Sequence, residues 1–172
     1  MKRIISITII AVIVITGCTA LSAQESKVAQ LKEQIIDLQN AGQLEFKNFY
    51  LCTNIIGYGQ YVAAKSNKVK AGTEIYFYYE PVNLFTNRSN SGYHVWYTQD
   101  MIVLNAEGGE IYNGPEIFNF NYRTTAPVLD YFATNSLNLG NLPVGNYTFK
   151  AVMHDKLKNA EAVYTYDFEI VE

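Results

Sequence analysis

Through the last third of the chain, apolar and polar residues alternate strictly. Tyr147, Phe149, Ala151 and Met153 are interleaved with Thr148, Lys150, Val152 and His154, and Tyr164, Tyr166, Phe168 and Ile170 with Thr165, Asp167 and Glu169. Successive side chains of a strand point to opposite faces, so a period of two marks a half-buried strand. The two runs, joined by a polar loop over 155–160, predict an antiparallel hairpin. Phe118, Phe120 and Tyr122 alternate with Asn119 and Asn121 in the same way. Residues 74–80 read as a strand on composition, because aromatic side chains favour pleated surfaces. They follow the turn-like Lys70-Ala71-Gly72, and Pro81 ends or bends the strand because proline cannot donate to a ladder. Further strands are expected over 93–97 and 101–104, followed by a turn at Glu107-Gly108-Gly109-Glu110, and 130–139 reads as extended. Several short strands at close intervals point to a mainly β, antiparallel sandwich over 44–172.

The period changes upstream. Val28, Leu31, Ile35 and Leu38 recur at spacings of three and four, which places them on one side of a helix. Ser26 reads as its N-cap and Asn40-Ala41-Gly42 as its stop. The pattern covers about two heptads, fewer than a stable coiled coil needs. Residues 18–43 therefore read as a short amphipathic spacer helix, with weak self-association through Val28, Leu31, Ile35 and Leu38 as the sharper reading.

Residues 1–17 carry Lys2 and Arg3 ahead of an apolar run from Ile4 to Ile15. That run is shorter than the about 20 residues of a comfortable bilayer span, so it reads as a signal peptide, against a retained anchor. Ile15-Thr16-Gly17-Cys18 resembles the lipobox of bacterial lipoproteins. The resemblance implies that the Cys18 thiol receives diacylglycerol, that the leader is cut before it, and that the new amino terminus is acylated. Several acyl chains hold a protein on a membrane, each buried methylene contributing about 0.8 kcal/mol. Thr19 after the cysteine resembles lipoproteins sorted to the outer membrane. The alternative is an ordinary secretory cleavage near Ala20-Leu21-Ser22-Ala23.

Composition agrees with a folded β domain. Of 172 residues, 49% are hydrophobic and 17% charged, which argues against disorder, and the 14 Tyr and 9 Phe favour strands. The net charge of −3 becomes −5 once Lys2 and Arg3 leave with the leader, because no acidic residue precedes Glu25. No basic stripe exists for nucleic-acid binding.

Leu142-Pro143-Val144-Gly145-Asn146-Tyr147 resembles the entry to a late strand of immunoglobulin-like sandwiches. There a tyrosine hydroxyl bonds the backbone a few residues upstream, the tyrosine corner. The resemblance gives Gly145 the turn and Tyr147 the corner. With Cys52-Thr-Asn-Ile-Ile-Gly-Tyr-Gly-Gln-Tyr61, the segment 72–83 and the final hairpin, the chain from about 46 to 172 resembles a group of bacterial envelope lipoproteins with an immunoglobulin-like domain. That resemblance implies a fold, and no ligand or site residue.

Candidate chemistry is sparse. If Cys18 carries lipid, Cys52 has no disulfide partner and reads as a small buried hydrophobe. His94 and His154 lie on or at the end of strands, no third metal ligand is suggested by spacing, and Asp155 reads as a turn cap. Gly57-Tyr58-Gly59 lacks the helix and lysine of a phosphate loop, and Glu107 and Glu110 read as solvated loop charges. No catalytic residue, metal or cofactor is expected. In 75–79 and 93–97 both alternating faces carry aromatic side chains, so one set should look outward. Trp96, His94, Tyr76 and Tyr78 are the candidate binding face. The expected function is a non-catalytic envelope module that docks an envelope protein, with carbohydrate or small-ligand binding as the alternative and an unrecognised enzyme behind both.

Overall fold

A computed structural model describes residues 23–140 and 142–172; the leader and Cys18 lie outside the described residues. The chain divides into two compact units, Met1–Asp37 and Leu38–Glu172. Residues 23–41 are helical, so Ser26 lies inside the helix instead of capping it. Val28, Leu31, Ile35 and Leu38 are all exposed. No helix among the described residues is long and apolar enough to cross a membrane.

The second unit starts at Leu38, where the sequence extends a spacer to 43, because the last helical turn is tied into the strands. The Gly42 amide closes the helix on the carbonyls of Leu38 (3.0 Å) and Gln39 (3.1 Å). Asn40 exchanges two hydrogen bonds with the Thr86 backbone, at 3.0 and 2.8 Å, and Lys158 Nζ donates to the carbonyls of Asn40 and Gly42, both at 2.7 Å.

Among the described residues ten strands follow: β1 Glu45–Gly57, β2 Gln60–Ala63, β3 Lys68–Lys70, β4 Glu74–Val82, β5 Asn87–Ser89, β6 Gly92–Asn105, β7 Glu110–Thr124, β8 Ala133–Asn138, β9 Gly145–Asp155 and β10 Ala160–Val171. The domain is mainly β and built of two sheets. The first has the order β2-β1-β4-β8 and is antiparallel throughout. The second runs β3-β10-β9-β6, with β5 and β7 also paired to β6, and it curls into a half-barrel instead of lying as a flat sandwich layer. β3 joins β10 in parallel, the other pairs being antiparallel.

The period-two residues meet between the sheets. Leu51, Phe77 and Tyr79 of the first sheet pack on Tyr97, Val103, Phe149, Phe168 and Ile170 of the second, all buried in one cluster. Phe77 stacks on Phe149 with centroids 3.9 Å apart, and Phe49 lies between Tyr79 (4.9 Å) and Tyr164 (4.1 Å). The two segments expected at 93–97 and 101–104 are one strand, β6. The polar Thr98-Gln99 between them is fully buried. Gln99 is accommodated because Tyr79 shares its hydroxyl proton between Gln99 Oε1 and Asn135 Oδ1 (2.8 Å to the latter). Gln99 Nε2 closes the triangle by donating to Asn135 Oδ1 at 2.8 Å. Most buried polar groups are paired in this way, because leaving one unpaired costs its hydration.

Candidate functional site

The long first strand outruns its neighbour. β4 pairs with β1 as far as Tyr76 opposite Cys52, and from Thr53 onward β1 pairs with β2 alone. Two register shifts, between Cys52 and Asn54 and between Ile55 and Gly57, fall in this stretch. Bulges bend a strand and increase its twist. Gly59 turns the tip at φ 65°, a conformation that costs glycine nothing sterically. As a result the β1–β2 hairpin coils back over the outer face of the first sheet. The Gly59 amide donates to the Tyr78 hydroxyl at 2.8 Å, the Tyr61 ring stacks on Tyr78 at 4.3 Å, and Tyr58 meets Phe132 edge-on at 6.2 Å.

Beneath the hairpin the rings form a row. Tyr50 stacks on Tyr61 (5.1 Å), Tyr61 on Tyr78, and Tyr78 on Phe132 (5.9 Å), with interplanar angles of 25°, 30° and 22°. Because the rings lie face to face, most of their faces are spent on one another. The Tyr78 hydroxyl donates to Glu80 Oε1 at 2.7 Å, and the other carboxylate oxygen receives Asn48 Nδ2 at 3.0 Å and lies 3.4 Å from Lys47 Nζ. Burial first, then the adjacent Glu80 carboxylate, pushes the Tyr78 phenol well above the usual tyrosine range, against the Gly59 amide, which pulls it down. This row is a second small core that fixes the hairpin.

Where β1 peels away from β4, the coil leaves a cleft of about 500 Å³. One wall is residues 53–56, and the other is Tyr76, Phe132 and Thr134. Ile56 is 73% exposed, and Phe132 is also exposed. The lining combines two isoleucines and two aromatic rings with three neutral hydrogen-bonding side chains, those of Thr53, Asn54 and Thr134. None of the seven is charged. Carboxylates stand at its margins: Glu74 accepts the Tyr76 hydroxyl at 2.8 Å, and Asp130 hydrogen-bonds Tyr58. A concave, mostly apolar surface with a few placed polar groups is the usual make-up of a small-ligand site.

The residues singled out in the sequence do not form one face. Tyr76 and Tyr78 belong to the first sheet, His94 and Trp96 to the second. Tyr76 lines the cleft. Tyr78 points outward as alternation requires, yet it is 0% exposed because the hairpin lies on it. His94 is 8% exposed and bonds Asn121 Oδ1 at 2.8 Å, and the half-buried Trp96 donates to Asn119 Oδ1 at 3.1 Å. These two are cross-strand pairs between β6 and β7. Tyr147 donates its hydroxyl to the Pro143 carbonyl at 2.8 Å, and Gly145 opens β9 at φ 157°. Alternation does not point to Phe132, Thr134 or residues 53–56, and only the adjacent Ile55-Ile56 beside the Gly-Tyr-Gly turn signals them in the sequence.

Other titratable groups are engaged. His154 Nε2 lies 2.9 Å from Asp100 Oδ2 and Nδ1 3.3 Å from Glu161 Oε2. Burial alone would raise the Asp100 carboxyl, but the Glu116 amide, the bond from His154 and the nearby Lys156 hold it below the usual range. Asp155 accepts the amides of Leu157 (3.0 Å), Lys158 (2.9 Å) and Phe85 (2.7 Å). Cys52 is buried with its thiol raised by desolvation, partly offset by a backbone hydrogen bond at Tyr78.

No family model matches the chain, and no curated protein does. Among solved structures, an alkylpurine DNA glycosylase from Pseudomonas fluorescens aligns with a TM-score of 0.42 at 7% identity. The alignment covers 84% of this chain and 35% of that one, so the chain spans about a third of that enzyme's length. A Niemann-Pick type C2 protein from the Japanese carpenter ant aligns at 0.41 and 6% identity, over 76% and 94% of the two chains. The CARDB domain of a Pyrococcus furiosus protein aligns at 0.37 and 13%, over 75% and 91%. Likenesses this slight carry no argument about activity.

Proposed function

We propose that the chain is an exported, non-catalytic binding module, anchored through lipid on Cys18 in the bacterial outer membrane, and that it recognises its ligand in the cleft under the β1–β2 hairpin. The observation that carries the reading is the coil of that hairpin. It is held by the Gly59–Tyr78 bond and the ring row, and it keeps open a concave surface at which Ile56 and part of the Phe132 ring are exposed to solvent. A fold that spends four stacked rings on positioning a hairpin gains a preformed site, and preformed sites bind with less ordering cost. The anchor rests on Ile15 to Cys18, and the outer-membrane address on Thr19.

The same proposal takes the sandwich to be immunoglobulin-like. Its supports are the Tyr147–Pro143 bond, which has the form of a tyrosine corner, and the pairing of an early strand, β3, in parallel with the last, β10.

Cells fed a labelled fatty acid test the anchor: label enters the wild type and not Cys18→Ala. Equal labelling overturns Cys18 as the anchor site, and an unlabelled protein released to the medium overturns the anchor in favour of secretion. Retention of the purified processed chain on detergent-extracted envelope fragments, with detergent present throughout so that its acyl chains find no bilayer, tests the site. Ile56→Asp is expected to abolish retention and Tyr122→Asp, on the exposed edge of β7, to leave it intact. The reverse pattern would move the site to the second sheet.

A further inference from the structure

Resting on the cleft as the binding site, we infer that its ligand is a neutral saccharide, a pyranose of an uncharged oligosaccharide seated against Phe132 and Tyr76. The lining decides between ligand classes. A charged ligand would lose its hydration without finding a counter-charge, since none of the seven lining residues carries a charge at neutral pH, the Tyr76 phenol being held protonated by its bond to Glu74. Anions meet the further obstacle of Glu74 and Asp130 at the margins. A purely apolar ligand would offer no hydrogen bond to the exposed Asn54 and Thr134 side chains, while Thr53 already donates its hydroxyl to the Val62 carbonyl at 3.3 Å, and it would leave much of itself in water. A pyranose has the matching split: a C–H face for an aromatic ring and a rim of hydroxyls for hydroxyl and amide side chains. The ring row itself is no platform, because its faces are mutually stacked. Phe132 is the ring that lies in both structures, packed against Tyr78 and edge-on to Tyr58 and still 38% exposed at the cleft. A small number of sugar units is therefore expected to bind, not a long chain along the sheet.

The test is titration calorimetry on the full processed chain in detergent, with cellohexaose and chitohexaose as neutral probes. Polygalacturonate is the anionic probe and an uncharged alanine-serine hexapeptide the extended polypeptide. At least one neutral oligosaccharide should bind. Phe132→Ala should weaken it by about tenfold or more. Thr134→Val, nearly isosteric and chosen so that folding is undisturbed, should weaken it severalfold with an unchanged melting temperature. Binding of polygalacturonate as tight as the neutral probes would overturn the charge argument. Binding of the hexapeptide alone would assign the cleft to main-chain pairing on the free edge of β1 and overturn the inference. Saccharide binding indifferent to both substitutions would place the sugar elsewhere. No binding by any probe, with envelope retention still lost in Ile56→Asp, would overturn the saccharide while leaving the cleft as the site; retention unaffected by Ile56→Asp would remove both.

Discussion

The Tyr147 hydroxyl reaches the Pro143 carbonyl across one tight turn, and its ring is buried against Phe168 at 5.6 Å. Tyr147→Phe keeps the ring and removes the donor from the carbonyl of the exposed Pro143, a net loss of about 0.5–1.5 kcal/mol that should lower the melting temperature by a few degrees. A Tyr147→Phe protein melting with the wild type would show that water replaces the phenol. Thr98 is the opposite case. Its hydroxyl is buried and, among the described residues, has no hydrogen-bond partner. Thr98→Val removes a desolvated polar atom without breaking a bond, so it should be neutral or stabilising by up to about 1 kcal/mol in urea unfolding. Clear destabilisation would reveal a partner for that oxygen. Of these two side chains the first was legible, because Leu-Pro-x-Gly-x-Tyr carries its own local geometry. The second was not. Thr98-Gln99-Asp100 looks like a break between strands, and nothing nearby in sequence announces that Tyr79 and Asn135 will satisfy Gln99 in the core.

Strand β10 and the first half of β9 follow their alternation, with one face in the core and one outside, whereas β4 is buried on both faces from Phe77 to Pro81. The β1–β2 hairpin was illegible for a physical reason. Its two register shifts interrupt the period of two, and the bend they produce decides which outward residues are covered. Tyr78 is outward by pattern and buried by that bend. The cleft shares this origin, as it joins residues 53–56 to Tyr76 and to Phe132 and Thr134, far apart in the chain. Gly59 is the pivot. A β-branched residue at φ 65° is strained by about 1–2 kcal/mol, so Gly59→Val should loosen the hairpin tip from Tyr78. Hydrogen exchange should quicken for amides of 53–63 while β9 and β10 stay protected. Uniform acceleration across all strands would mean that the hairpin is part of the global core and not a separately held arm.

Across the whole molecule the 14 tyrosines divide into buried and solvated sets. Burial, with Tyr122 adding a smaller effect, raises Tyr131 to about 12, and burial raises Tyr78, Tyr79 and Tyr97 further. In the unfolded chain each titrates near the ordinary value of about 10. A folded pKa above the unfolded one means that the native state keeps protons the unfolded state releases. The resulting contribution is complete below about pH 10 and is lost as pH rises through the interval to about 12. The urea midpoint should therefore fall between pH 10 and 12, with part of the tyrosinate absorbance appearing only on unfolding. Titration of all the tyrosines together near pH 10, in the folded protein, would contradict the packing described for the core and the ring row.

The cleft as recognition site can be tested most directly in living cells, with the ligand still unidentified. A photo-crosslinking amino acid replaces Ile56 in one form of the chain and Tyr122 in another, and intact cells are illuminated. Ile56 stands exposed at the cleft and Tyr122 exposed on the edge strand β7. The account requires adducts of altered mobility from position 56 and none from position 122. Adducts from 122 with none from 56 would contradict it and transfer recognition to the second sheet.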